Sequence, residues 1–107
     1  MILAIMIDNQ IYDIDTPDDL IKDAEALYVK MDKDMDDGWQ MSRQWVSDPN
    51  MEQRCQIVAD KILEAFQNKN EKMVLLMSGY ILSRLPTVKA IEIDTSGDIT
   101  QTAINAE

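Results

Sequence analysis

The sequence predicts a mainly α fold: a three-helix core over residues 17–47, 49–68 and 71–85, with short strands at the N-terminus and at 88–93. Three observations predict it. An apolar stripe of helical period runs through the first segment. A helix-start signal containing proline opens each of the first two. An unbroken apolar run fills the third. All of this fits one domain of 107 residues. The helical core covers 16–86, and 87–107 forms a short strand, a turn and a frayed tail.

Residues 2–7 and 11–14 are apolar enough to be strands. Thr16-Pro17-Asp18-Asp19 then opens a helix. Thr16 suits the cap, Pro17 the first helical position, and the two aspartates the positive end of the helix dipole. At 100° per residue, Leu20, Ile21, Ala24, Leu27, Tyr28, Met31, Met35, Gly38, Trp39, Ser42, Trp45 and Val46 share one stripe about 120° wide. The charged residues from Lys22 to Arg43 fall outside it. The register passes Gly38 without a slip, so one amphipathic helix of roughly 45 Å is expected over 17–47, with Gly38 costing it about 1 kcal/mol.

Asp48-Pro49 repeats the start signal. Met51, Cys55, Val58, Ala59, Ile62, Ala65 and Phe66 form the next stripe, as far as Asn68. Asn70 caps the third helix and Pro86 stops it. Its run from Met73 to Leu82 is apolar on every side, the mark of a buried helix, and Ser78-Gly79 leaves room for a neighbouring backbone. Val88 to Ile93 reads as a strand, Asp94-Thr95-Ser96-Gly97-Asp98 as a turn, and 100–107 as the frayed tail. The second and third helices are too short to cover the first. They leave Leu20, Ile21, Ala24, Leu27 and Tyr28 bare, and these become the predicted contacts of a homodimer that completes the bundle; the alternative is that the terminal strands cover them or that the first helix bends back at Gly38.

Composition narrows the chemistry. There are 20 acidic and 10 basic residues, net charge −10, no histidine and one cysteine. Histidine-dependent catalysis, cysteine-rich zinc sites and intrachain disulfides are excluded. The acidity repels nucleic acid and anionic membrane and favours a basic protein partner or simply solubility. It is uneven: residues 1–50 hold 12 acidic and 4 basic side chains, net −8. The opening apolar run is too short for a membrane span and lacks a basic flank, so a cytoplasmic location is expected.

No motif carries a reaction. Asp32, Asp34, Asp36, Asp37 and Gly38 suggest a calcium loop, but its sixth and twelfth positions would be Asp37 and Arg43 instead of Gly and Glu. Asp94-Thr95-Ser96-Gly97 has one residue too many for the Asp-Thr/Ser-Gly of aspartic proteases. The acidic helical composition suggests acyl carrier proteins, but no Asp-Ser-Leu attachment site is present. Cys55 lies mid-stripe, as a small core residue does. No metal or cofactor is expected. The expected function is that of a non-enzymatic interaction or regulatory module. Its partner surface is Asp32, Asp34, Met35, Asp36, Asp37, Trp39, Met41 and Trp45, acidic on one side and aromatic on the other. The alternative is an acidic nucleic-acid mimic that inhibits a DNA- or RNA-binding protein, and a third is a small carboxylate-dependent enzyme. Val88 to Asp98 is a reserve surface that could offer a strand edge.

Overall fold

Residues Ile2–Ile7 carry an apolar side chain at every position and form strand β1; Gln10–Asp15 returns as β2. Asp8 and Asn9 make the reversal, with φ of 50° and 67°. A two-residue hairpin turn needs that left-handed backbone, and Asp and Asn tolerate it well. The computed structural model describes residues 1–106. After β2 come α1 (Asp18–Asp23), α2 (Glu25–Asp36), β3 (Trp39–Met41), β4 (Gln44–Val46), α3 (Met51–Gln67) and α4 (Glu71–Arg84). The chain ends with β5 (Val88–Glu92), a 3-10 turn at Ile99–Gln101 and β6 (Ala103–Ala106).

The fold is therefore mixed α/β, and the expected mainly α three-helix bundle is corrected. Four strands form a sheet in the order β2-β1-β5-β6; β1 and β5 run parallel, the other pairs antiparallel. A parallel pair needs a long crossover, and all four helices lie within it. Register aligns Ile5 with Ile91 and Tyr12, and Ile104 with Ile91, on one face. That face meets the helices. Leu3, Ile5, Ile91 and Ile93 are buried with Cys55, Val58 and Ile62 of α3 and Met77, Tyr80 and Ile81 of α4.

The helices expected over 49–68 and 71–85 are present as α3 and α4, while the one over 17–47 is not. It is interrupted at Ala24, and α2 stops at Asp36. Gly38, with φ of 107°, donates its N–H to the Met35 carbonyl at 3.0 Å. This is the glycine stop that follows many helix ends, not a helix interior. Residues 39–46 then form a hairpin in which Trp39 faces Val46 and Met41 faces Gln44. Its loop is Ser42-Arg43, with Ser42 at φ 58°. Over so few residues, strand and helix periods select several of the same apolar positions.

The start signals also shift. Thr16 is no cap: its N–H donates to the Met1 carbonyl at 2.8 Å, extending the β1–β2 ladder. Asn50 caps α3 instead of Asp48. Its side chain accepts from the Gln53 N–H at 2.8 Å, and the Gln53 side chain accepts from the Asn50 N–H at 2.9 Å. Asn70 caps α4 as expected, accepting from the Met73 N–H at 3.2 Å. The tail expected to fray over 100–107 is a 3-10 turn and the strand β6 as far as it is described; Glu107 lies outside the described residues. β5 sits between β1 and β6, so Val88 to Glu92 offers no free edge.

The α3–α4 turn closes with paired backbone bonds, Lys69 N–H to the Phe66 carbonyl at 3.1 Å and Asn70 N–H to the Ala65 carbonyl at 2.8 Å. Lys69 holds φ 56° where glycine is usual. Lys69→Gly is expected to stabilise the fold by about 1 kcal/mol. Gly38→Ala is expected to destabilise it by about 1–2 kcal/mol. It would hold alanine at left-handed φ, with Cβ only 2.6 Å from Trp45 Cζ2. Urea denaturation of both variants checks the opposite signs.

Candidate functional site

Asp32 stands on α2 one turn after Tyr28 and one turn before Asp36. Its carboxylate accepts from the Tyr80 hydroxyl and from Arg84 Nε at 3.0 Å, and lies 3.5 Å from Arg54 Nη1. Arg54, only 8% exposed, uses every nitrogen. Nε donates to the Pro49 carbonyl at 2.8 Å and Nη1 to the Asp32 carbonyl at 3.0 Å. Nη2 donates to Asp36 at 2.8 Å and to Asp48 at 3.2 Å. Arg84 reaches Glu25 at 3.1 Å and stacks over Tyr80 and Tyr28.

The electrostatics match this geometry. Burial works against both arginine charges but is outweighed, at Arg54 by Asp36 and Asp32 and at Arg84 by Glu25 and Asp32, so both hold their protons more tightly than usual. Burial, then Asp32, raises the Tyr80 hydroxyl. Burial pushes Tyr28 up to about 12; its hydroxyl donates to the Leu76 carbonyl at 2.7 Å. Cys55 is pushed up to about 12 by burial and then by Asp32. It is fully buried and stays a neutral thiol, the opposite of an activated nucleophile. The cluster therefore binds three helices together.

The predicted partner surface does not stay together. Asp32 and Asp36 are held by the arginines; Met35 and Met41 are buried. Asp34 and Asp37 are exposed. Trp39 is half-buried, with the Lys61 ammonium 5.1 Å from its ring centre, and Trp45 is 58% exposed against Gly38. The predicted dimer contacts are mostly occupied within the chain. Tyr28 is buried, and both it and Ile21 press on Gly79 of α4, where an added Cβ would collide with Tyr28 Oη and lie 3.3 Å from Ile21 Cγ1. Leu20 and Ala24 are half-buried and Leu27 is 39% exposed. The space left open by a continuous long helix is filled by α4, which removes the coverage argument for a second copy.

A different surface emerges on the sheet. Ile2, Ala4 and Met6 alternate with the buried Leu3 and Ile5 and point away from the helices. Register brings Ile11 opposite Met6, and Ala90 opposite Ala4. Ile2 is 61% and Ile11 64% exposed, and neither they nor Met6 pack on the core. Asp13, Asp15 and Glu92 share this outer face. The sequence hides this face because β1 is apolar at every position, as a strand covered on both faces would be. The available signal was in β2, where Tyr12 and Ile14 alternate with Asp13 and Asp15.

The second polar cluster fixes the β3–β4 turn. Ser42 Oγ donates to Asp98 at 2.8 Å and accepts from the Ile99 N–H at 3.1 Å. Asp98 also accepts from the Thr100 hydroxyl at 2.5 Å. Asp94 makes the expected turn, accepting from the Ser96 N–H at 3.0 Å and hydroxyl at 2.6 Å. Among the described residues no group of His, Cys, Asp and Glu is arranged to hold a metal ion, and no helix is long and apolar enough to cross a membrane. No protein-family model, no curated protein and no solved structure matches the chain. Fold and surface together define a layer of helices on a four-stranded sheet whose other face is uncovered.

Asp32→Asn is expected to cost about 2 kcal/mol, because it leaves two largely buried arginines short of counter-charge; thermal melts check it. The hydroxyls of Thr100 and Ser42 hold Asp98 below the usual carboxylate pKa. A folded value below the unfolded one contributes stability above about pH 4, and that contribution is lost as pH falls through the folded value. Below about pH 4, Asp98→Ala is therefore expected to lose less stability on acidification than the wild type, as read from melts across pH.

Proposed function

We propose that the protein is a non-catalytic binding module that docks a basic protein partner. One observation carries the reading: the outer sheet face exposes apolar side chains on β1 and β2 with carboxylates beside them. A sheet face meant only for water alternates to polar residues. Here Ile2, Met6 and Ile11 take those positions, with Asp13, Asp15 and Glu92 beside them. An exposed apolar patch rimmed by polar and charged residues is the pattern of a protein interface. Charge at the rim governs encounter and partner choice; the apolar centre supplies affinity. The nucleic-acid mimic has less support, since Asp32 and Asp36 of its acidic face are committed to Arg54 and Arg84.

The test is affinity capture with wild type and two variants, each first shown to keep its fold by circular dichroism. Ile2→Lys with Ile11→Lys is expected to lose the captured partner, while Asp34→Asn with Asp37→Asn retains it. Loss in the aspartate variant alone, with a nucleic-acid-binding protein as the partner, would favour mimicry. Loss on Trp45→Ala alone would move the surface to the β3–β4 hairpin.

A further inference from the structure

The uncovered face ends on an uncovered edge. β2 is the outermost strand beside β1. In an antiparallel ladder, main-chain groups point alternately toward the partner strand and away from it. Met1 and Thr16 exchange both bonds, at 2.8 and 3.0 Å. Continuing that register, Leu3 with Ile14, Ile5 with Tyr12 and Ile7 with Gln10 are the exchanging pairs. The N–H and C=O groups of Ile11, Asp13 and Asp15 therefore point outward, and no strand among the described residues pairs with them.

A groove of about 520 Å³ runs along the same edge, between β2 and the α3–α4 turn. Ile14, Phe66, Val74 and Leu75 give it an apolar lining, and Asp13, Asp15, Lys69 and Glu71 line it as well. Tyr12 packs on Phe66 with ring centres 5.0 Å apart. The edge thus presents main-chain partners in its plane and a largely apolar trough on its inner side, while register puts the side chains of Asp13 and Asp15 on the outer face, Asp15 exposed and 3.7 Å from the Met1 ammonium.

We infer that β2 accepts an extended segment of a partner protein as a fifth strand, one in which lysine or arginine alternates with apolar residues. The alternation follows from the period of a strand. Side chains on the inner side drop into the groove, and those on the outer side lie beside Asp13 and Asp15. Main-chain bonds then supply affinity and the groove selects the apolar residues, as in other strand additions. The aspartates also select against a second copy of this chain. Pairing β2 with β2 would bring the aspartates of both copies onto one face, and like charges at neighbouring positions of a sheet repel. Charged residues on an edge strand are a known guard against such self-association. This inference rests on the binding-module reading and adds the edge, the mode of contact and the chemistry of the partner segment.

The probe is a blocked peptide of about six residues, the length of a typical strand, alternating lysine with valine. Calorimetry measures binding, and amide hydrogen exchange locates it. The peptide is expected to bind more weakly as salt rises, and to slow exchange at Ile11, Asp13 and Asp15. A version with glutamate in place of lysine, and one N-methylated at every residue, are expected not to bind. Asp13→Lys with Asp15→Lys is expected to bind the lysine peptide about tenfold more weakly and to gain binding of the glutamate peptide. That exchange of preference separates a charge-selected edge from a variant that merely fails to fold. Absence of binding, unchanged exchange at the three amides, or equal binding of the N-methylated peptide overturns the edge assignment. Slowed exchange at those amides on raising protein concentration alone would overturn the partner assignment in favour of a second copy. If the peptide fails while Ile2→Lys with Ile11→Lys still loses the captured partner, the outer-face reading stands and only the edge assignment falls.

Discussion

Asp32 holds the helical layer together. Two arginines, one on α3 and one on α4, are largely removed from water, and a buried guanidinium without counter-charge is expensive. Asp32 answers both, and it takes the Tyr80 hydroxyl as well. Because Asp32 belongs to α2, this one carboxylate ties α2 to α3 and α4 at a single point. The remaining carboxylates of the cluster, Glu25, Asp36 and Asp48, reach in from the more exposed side and complete the neutralisation. Together with Asp32 they put four of the twelve acidic residues of the first half of the chain into ion pairs with the two arginines.

With α2 held there, Gly38 has to turn the chain sharply, and the β3–β4 hairpin folds back so that Trp45 lies over the glycine. Ser42 in the hairpin turn is then tied to the loop before β6 through Asp98 and Ile99. Several non-glycine residues with positive φ, Ser42 and Lys69 among them, sit at chain reversals. Such positions persist only where neighbouring bonds over-determine them, as the Asp98 contact does for Ser42 and the paired backbone bonds do for Lys69.

The helices with local stop signals were legible in the sequence. Asn70 and Pro86 bracket α4, and the apolar stripe of α3 needed only its start moved from Pro49 to Met51. The β1, β2 and β5 segments were legible as strands, but not as members of one sheet, because their pairing depends on residues far apart in the chain. The long helix failed at Gly38. The helical phase of the apolar residues continues beyond this glycine, although glycine just after a helix end is a stop signal in its own right. The bare sheet face was hidden by Ile2–Ile7, whose uniform apolarity gives no sign of which side faces water. Of the predicted partner residues, burial of Met35 and Met41 follows from helix and hairpin packing that no local pattern encodes.

The parallel pairing of β1 with β5 has a consequence for synthesis. β1 is made before β5, so its second neighbour does not exist until Val88 and the residues after it have been added. At roughly 5–20 residues per second, the β1–β2 hairpin waits about 4–15 s with its inner edge open. Contacts between such distant parts of a chain also form slowly once both are present. During that interval the nascent chain is most at risk of sticking to its neighbours. The excess of acid in the first fifty residues gives growing chains a like charge, which opposes such contact.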